Sequence, residues 1–172
     1  MEMRDLLSVG RIIPRLRAAN KRDALSKLAA HATTDTPIAA EAILRSVLAG
    51  TELPAFGPGF GVSLPHAFVP GLRNPFITFA RLESPIDFGA ADGFKTDLVA
   101  LLLSPADNAA DHLRALACVA RTLRDPAVRN MLRAANSRDA VYAILCDPTR
   151  GAGLTNHRLP QAQRRISKRV AD

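Results

Sequence analysis

The chain contains 172 residues, of which 48% are hydrophobic and 23% are charged, and its formal net charge at pH 7 is +7. This length is sufficient to bury one substantial hydrophobic core and too short for two independent enzymes, so we expect one main domain. The first residues lack the pattern of a secretory signal, and the longest strongly apolar run, residues 98–103, is far shorter than a membrane span. We therefore expect a soluble cytoplasmic protein without membrane insertion.

The first part of the chain contains signals for one short strand and two amphipathic helices. Residues 11–17 (RIIPRLR) have the apolar content of a strand, and Pro14 confines that strand to an edge or a bulge because proline lacks an N–H group. Asn20 is a candidate helix N-cap, and Thr36-Pro37 is a second start signal. The residues expected on the buried faces of the two helices are Ala24, Leu25, Leu28, Ala29 and Ala32, and Ala40, Ile43, Leu44, Val47 and Leu48.

The middle of the chain is rich in glycine and proline, and strand signals follow it. Residues 51–71 predict a shaped loop with short strands that holds His66 in a defined place, because Pro65 restricts the backbone on its amino-terminal side. Residues 76–82 and 97–104 have the length and composition of strands. The second of these is nearly all apolar, which predicts a central strand buried on both faces.

Helical signals return after the second strand. Asp107-Asn108 leads into a helix whose expected apolar residues are Leu113, Leu116, Ala117, Ala120 and Leu123. Asp125-Pro126 opens a helix that extends to about residue 133, and Ser137 caps a last helix that extends to Leu145. Because helices flank both ends of a strand-rich middle, an α/β sandwich is the expected architecture.

The basic charge of the chain is concentrated at its end. Residues 147–172 are polar and punctuated by glycine and proline, and their cations are Arg150, Arg158, Arg164, Arg165, Lys168 and Arg169. We predict a folded domain of residues 1–146 followed by a mobile basic tail. The body is only mildly basic, which argues against nucleic acid as a partner, although binding of nucleic acid or an anionic surface by the tail remains an alternative.

Two histidines are candidates for chemistry. An imidazole of near-neutral pKa has a lone pair for nucleophilic attack while its other nitrogen is fixed by a neighbour, so His66 could accept a phosphoryl group. His112 is expected in the first turn of a helix after the buried strand, where backbone N–H groups favour an anion. Taken singly, each histidine is better explained as an ordinary packed or surface residue.

Four ordered segments resemble one protein family. The stretch GFGVSLPHAFVPGL and the later stretches RLESPIDF, DLVALLLSP and HLRALA resemble the fructose/mannitol-type IIA domains of the bacterial phosphotransferase system. Within them, the chain is most similar to the nitrogen-regulatory branch. The resemblance covers residues 6–145.

The resemblance implies both a fold and a function. It implies an α/β fold with a mixed β-sheet flanked by helices on both sides, and phosphorylation of His66 by an HPr-like phosphocarrier protein, with His112 as an auxiliary catalytic histidine. Backbone amides of Gly59, Phe60 and Gly61 are candidate ligands of the phosphoryl group. Direct transfer requires neither a metal nor another cofactor. The nitrogen-regulatory branch binds regulatory partners, such as potassium-transport or sensor-kinase components, according to its phosphorylation state.

The sequence also departs from the family pattern near the active histidine. Gly50 stands where relatives usually carry an arginine, Ala55-Phe56 replaces a Ser-Thr pair, and Phe68 occupies an often basic position. A phosphoryl group carries negative charge that such donors offset. A binding-only paralogue that has lost efficient phosphoryl transfer is therefore the alternative to a phosphoryl-accepting regulator.

Overall fold

Five strands form a single mixed sheet in the computed structural model, which describes residues 1–50 and 57–147. The strands are β1 (Ile12–Leu16), β2 (Val62–Ser63), β3 (His66–Val69), β4 (Phe76–Ile86) and β5 (Thr96–Pro105). The helices are α1 (Met3–Leu6), α2 (Lys21–Ala32), α3 (Ala40–Gly50), α4 (Ala109–Arg124), α5 (Pro126–Ala134) and α6 (Arg138–Leu145).

Strand β5 is the centre of the sheet. It pairs with β4 in antiparallel fashion along one edge, and β1 lies parallel to β4 on the far side. Along the other edge of β5, β2 and β3 follow one another, and both run parallel to it. The registers Val62 to Leu98 and His66 to Leu102 therefore place His66 near the carboxyl end of β5.

Hydrophobic residues are buried on both faces of the sheet. Alternate residues of β5 contribute to two separate clusters, one packed with α1, α4, α5 and α6 and the other with α2 and α3. Leu98 and Leu102 belong to the first cluster, whereas Val99 and Leu103 belong to the second, and all four are fully buried. The predictions of a doubly buried central strand and of a mixed sheet flanked by helices are thereby confirmed.

Several local predictions are confirmed by the geometry of the elements. The side chains of Asn20, Asp125 and Ser137 each accept a hydrogen bond from a backbone N–H in the first turn of the following helix. Strand β1 lies at the edge of the described sheet, and its register shifts between Ile13 and Leu16, around Pro14. Proline's missing donor is tolerated at this position.

The predicted helix start at Thr36-Pro37 is wrong. The N–H of Thr36 donates to the carbonyl of Thr33 and closes a preceding 3-10 turn (Thr33–Asp35). Thr36 therefore ends that turn and does not begin the next helix. Helix α3 begins at Ala40, after the carbonyl of Ala39 accepts the first helical hydrogen bonds.

The predicted apolar face of α4 is also wrong in part. Leu113 is 64% exposed, and Ala117 is exposed as well. The buried face instead carries His112, Ala115, Cys118, Val119 and Leu123. A histidine occupies a core-facing position, so the apolar residues alone do not indicate which face is buried.

No helix within the described ranges is both long enough and apolar enough to cross a membrane. The predicted basic tail lies, apart from Asp147, outside the described residues.

Candidate functional site

His66 is positioned by the interruption between β2 and β3. Leu64 is fully buried, and the carbonyl of Pro65 accepts a hydrogen bond from the N–H of Leu102 at 2.9 Å, which anchors the chain on β5 just before His66. The Nδ1 atom of the half-buried His66 lies 3.1 Å from the carbonyl oxygen of Leu64. Because a carbonyl can only accept, this contact assigns the ring proton to Nδ1 and the lone pair to Nε2.

His112 lies beside His66. Helix α4 presents its imidazole to the carboxyl end of β5, where Nδ1 is 2.9 Å from the buried Ser104 hydroxyl oxygen. The centroids of the His66 and His112 rings are 5.3 Å apart, and the Phe68 ring lies 4.4 Å from that of His112. The two histidines singled out in the sequence thus meet at one place, close to where β5 ends.

The surroundings of His112 favour its uncharged form. Only 5% of the residue is exposed, and this burial is the main cause that lowers the pKa of His112 below its ordinary value. The neighbouring His66 lowers the pKa further, because two cations at this separation would repel one another. A neutral imidazole held by Ser104 can donate one hydrogen bond to an anion without carrying a full charge.

The carboxyl end of α3 approaches His66 from the other face. A Cβ atom placed on Gly50 would lie 3.3 Å from the carbonyl oxygen of His66. A side chain at this position therefore begins directly beside the histidine, so the absence of an arginine here bears on the site. Ala55 and Phe56, the other replaced pair, lie outside the described residues.

The structure places the 59–61 loop (Gly59, Phe60 and Gly61), whose amides are the predicted ligands of the phosphoryl group, away from the histidine pair. The N–H of Phe60 donates to the carboxylate of Asp92 at 2.7 Å, and the carbonyl of Gly61 accepts from Leu98. Four strand residues, roughly 13 Å, separate Leu98 from Leu102, the partner of His66. Sequence proximity to His66 suggested the loop, but the parallel register directs it to the opposite end of β5.

The contacts that Ser104 and Phe68 make with His112 escaped the sequence interpretation. Ser104 is a hydroxyl residue at the end of an apolar strand, and its spacing of eight residues before His112 is the one signal for their contact. Phe68 gave no local signal for its ring contact with His112. In the described ranges, no three His, Cys, Asp or Glu side chains are grouped to hold a metal ion.

Comparisons with known proteins agree with this fold. The nitrogen regulatory protein of Bradyrhizobium diazoefficiens is 41% identical over 148 residues, which cover 86% of this chain and 97% of that protein. The nitrogen regulatory protein of Pseudomonas aeruginosa is 30% identical over 152 residues, covering 88% and 99%. The crystal structure of nitrogen regulatory protein IIA-Ntr from Neisseria meningitidis superimposes with a TM-score of 0.77 at 24% identity, covering 82% of this chain and 97% of that chain.

The sequence relatives, together with the shared fold, place the chain among the IIA components of the phosphotransferase system. Residues 5–147 match the family described as "Phosphoenolpyruvate-dependent sugar phosphotransferase system, EIIA 2", and the chain belongs to it. Its curated relatives given above are nitrogen regulatory proteins.

Proposed function

We propose that His66 accepts a phosphoryl group from the phosphohistidine of an HPr-like carrier protein. The observation that supports this most is the paired geometry of the site: His66 keeps its Nδ1 proton on the Leu64 carbonyl, and the ring of His112 lies 5.3 Å away. The resulting tautomer directs the nucleophilic lone pair to Nε2.

Transfer on this arrangement is a direct displacement. The Nε2 lone pair of His66 forms a bond to phosphorus while the bond from phosphorus to the carrier's imidazole breaks, and that electron pair returns to the carrier's ring nitrogen. The Nδ1 proton of His66 remains hydrogen-bonded to the Leu64 carbonyl, whose oxygen stabilises the positive charge that develops on the His66 ring. If the Ser104 hydroxyl donates to Nδ1 of His112, the Nε2–H of His112 is available to a phosphoryl oxygen.

The biological role that we propose is regulation. The relatives named above are nitrogen regulatory proteins, and the resemblance of this chain to that branch carries the same role to it. A phosphoryl group on His66 would add negative charge to a half-buried surface and change which protein partners bind there. Potassium-transport and sensor-kinase components are the partners that we propose.

A second candidate function is supported by Gly50 and Phe68. Gly50 lies next to the His66 carbonyl, and the Phe68 ring lies next to the ring of His112. Cationic side chains are usual at both positions in the family. Such a site offers less compensation for phosphoryl charge. A paralogue that binds regulatory partners without efficient transfer is consistent with this feature.

Intact-mass measurement separates the two functions. The protein is incubated with phosphoenolpyruvate, Enzyme I and an HPr-like carrier, in parallel with His66→Ala, His112→Ala and the matched control His31→Ala, whose ring binds the Gly10 carbonyl instead. We expect an acid-labile gain of one phosphate that is lost in His66→Ala, slowed in His112→Ala and unchanged in His31→Ala. A carrier that phosphorylates another IIA domain but leaves this protein unchanged would instead select the binding-only paralogue.

A further inference from the structure

Two phenylalanines are exposed at the end of the sheet opposite His66. Phe60 is 57% exposed and Phe94 is 56% exposed, and their ring centroids lie 6.1 Å apart. Phenylalanine is normally buried, and large exposed apolar side chains that lie together mark an interaction site more often than isolated ones do. The pair therefore requires an explanation that the histidine site does not provide.

The backbone that presents Phe60 is held in an unfavourable conformation. Phe60 has a φ of 56°, the one positive value among the non-glycine residues that the structure describes, and Gly59 and Gly61 on either side have φ of 80° and 84°. The left-handed region is unfavourable for a residue that has a Cβ atom. Backbone strain of this kind persists where surrounding contacts enforce it, and it concentrates at functional sites.

One carboxylate fixes both aromatic loops. Asp92 accepts the N–H of Phe60 on Oδ2 at 2.7 Å and the N–H of Phe94 on Oδ1 at 3.1 Å. The guanidinium of Arg133 donates to the Phe60 carbonyl at 2.8 Å. A Cβ atom on Gly59 would lie 2.7 Å from Asp92, so glycine is needed there for this approach. The rings are thus held in the exposed arrangement before any partner arrives.

The cavity between the rings is positively charged. It has a volume of about 410 Å³, and its charged lining residues are Lys95, Arg129 and Arg133 against Asp97. Asp97 is already paired with Arg133, at 2.7 and 2.9 Å. The Arg129 guanidinium lies 5.0 Å from the Phe60 ring centroid. An occupant that combines an apolar group with negative charge is complementary to this lining.

We propose that Phe60, Phe94 and the adjoining cavity form a docking surface for an acidic segment of a partner protein. The segment inserts an apolar side chain between the two rings and places a carboxylate near the exposed Lys95. Arg133 is engaged with Asp97, and the buried Arg129 with the carbonyls of Leu123 and Arg124. A nucleic acid strand fits less well, because it requires a continuous stripe of accessible cations. This surface goes beyond the function proposed for His66, since roughly 13 Å of strand β5 separates the two sites.

Peptide titration of the full chain tests this surface. The probe is a capped Glu-Glu-Phe-Glu-Glu peptide, followed by backbone amide chemical shifts, with a Lys-Lys-Phe-Lys-Lys peptide as the charge control. We expect shifts centred on Phe60, Phe94 and Lys95 with the acidic peptide, and binding at least tenfold weaker with the basic one. Equal binding of the two peptides, or displacement of the acidic peptide by a short oligothymidylate, would overturn the proposal.

Variants assign the binding to the aromatic pair. Phe60→Asn removes the ring at a position whose conformation asparagine tolerates better, so the fold is retained while peptide affinity falls about tenfold or more. Lys95→Glu changes an exposed side chain and weakens binding similarly, whereas Leu113→Asn, an exposed apolar residue on α4, leaves it within about twofold. Undiminished binding by Phe60→Asn and Lys95→Glu contradicts the proposal. Unchanged binding by His66→Ala separates this surface from phosphoryl transfer.

Discussion

A buried histidine next to a half-buried one makes protonation at this site unfavourable. Burial first, and His66 second, lower the pKa of His112, so the folded protein resists a proton that the unfolded chain binds below about pH 6.5. The unfolded state therefore binds more protons as the pH falls through this range. The stability that neutral His112 preserves is present above that pH and is lost as the pH decreases toward its folded pKa.

This linkage predicts a pH-dependent stability that one substitution removes. Urea unfolding of the wild-type protein between about pH 5 and pH 8 should show a free energy of unfolding that falls on acidification, with a slope of at most about 1.4 kcal/mol per pH unit from this one group. His112→Gln should lose that part of the slope, and His31→Gln should retain it. Identical slopes in all three proteins would contradict the assignment to His112.

Gly50 leads to a prediction about phosphoryl transfer. Gly50→Arg adds a guanidinium at the end of α3, where the Cβ position lies next to the His66 carbonyl, and should raise the rate of His66 phosphorylation by about tenfold or more through charge stabilisation. Gly50→Ala is the matched control, because it adds the same Cβ atom near the His66 carbonyl without the charge. The initial rate by intact mass is the measurement, and an arginine variant no faster than the alanine variant would exclude the charge effect.

At the scale of elements, the two asparagine caps form a matched pair. Asn108 at the start of α4 and Asn20 at the start of α2 each accept the backbone N–H of an aspartate three residues later. Alanine at either position should lower the free energy of unfolding by about 1 kcal/mol. Asn108→Ala should in addition slow phosphoryl transfer, because α4 carries His112, whereas Asn20→Ala should not. Equal rates in both variants would show that the α4 cap does not position the histidine.

Local chemistry made some elements predictable and left others hidden. The caps Asn20, Asp125 and Ser137 depend on residues within one helical turn, and the buried nature of β5 is evident from its composition, so both could be inferred from sequence. The start of α3 and the buried face of α4 depend on neighbouring elements: Thr36 ends another turn, and His112 is drawn inward by Ser104. A competing local turn decided the first, and a contact between helix and strand decided the second.

The candidate site likewise combines features that the sequence predicts with one that it does not. The meeting of His66 and His112 was expected from the resemblance, and the register of β3 on β5 produces it. The location of Phe60 was not predictable in the same way, because residues five or six positions before His66 are carried away from it by extended strand backbone. The distance between Phe60 and His66 becomes evident only when the pairing of Val62 on β2 with Leu98 on β5 is known.

At the scale of the whole molecule, the hydrophobic clusters and the family match end close together. Among the described residues, the last buried cluster member is Leu145, and the family match ends at residue 147. Deleting residues 148–172 should therefore leave the melting temperature and the phosphorylation rate unchanged, while it removes six cations and any salt-dependent binding of nucleic acid that they cause. Circular dichroism melting and intact mass provide the comparison. A lower melting temperature would show that the removed segment packs on the domain.

The edge strand β1 has a consequence for how copies of the protein behave at high concentration. An open strand edge is a template on which further chains can add, leading to fibrils. Pro14 removes one donor from this edge and accompanies a register shift, and its carbonyl is taken by Arg81 Nε at 3.0 Å. The exposed Arg15 and Arg17 side chains pair with Glu83 on β4, so charged groups lie along this edge of the sheet. In the described sheet, β1 thus forms an edge that is less open to pairing with a further strand.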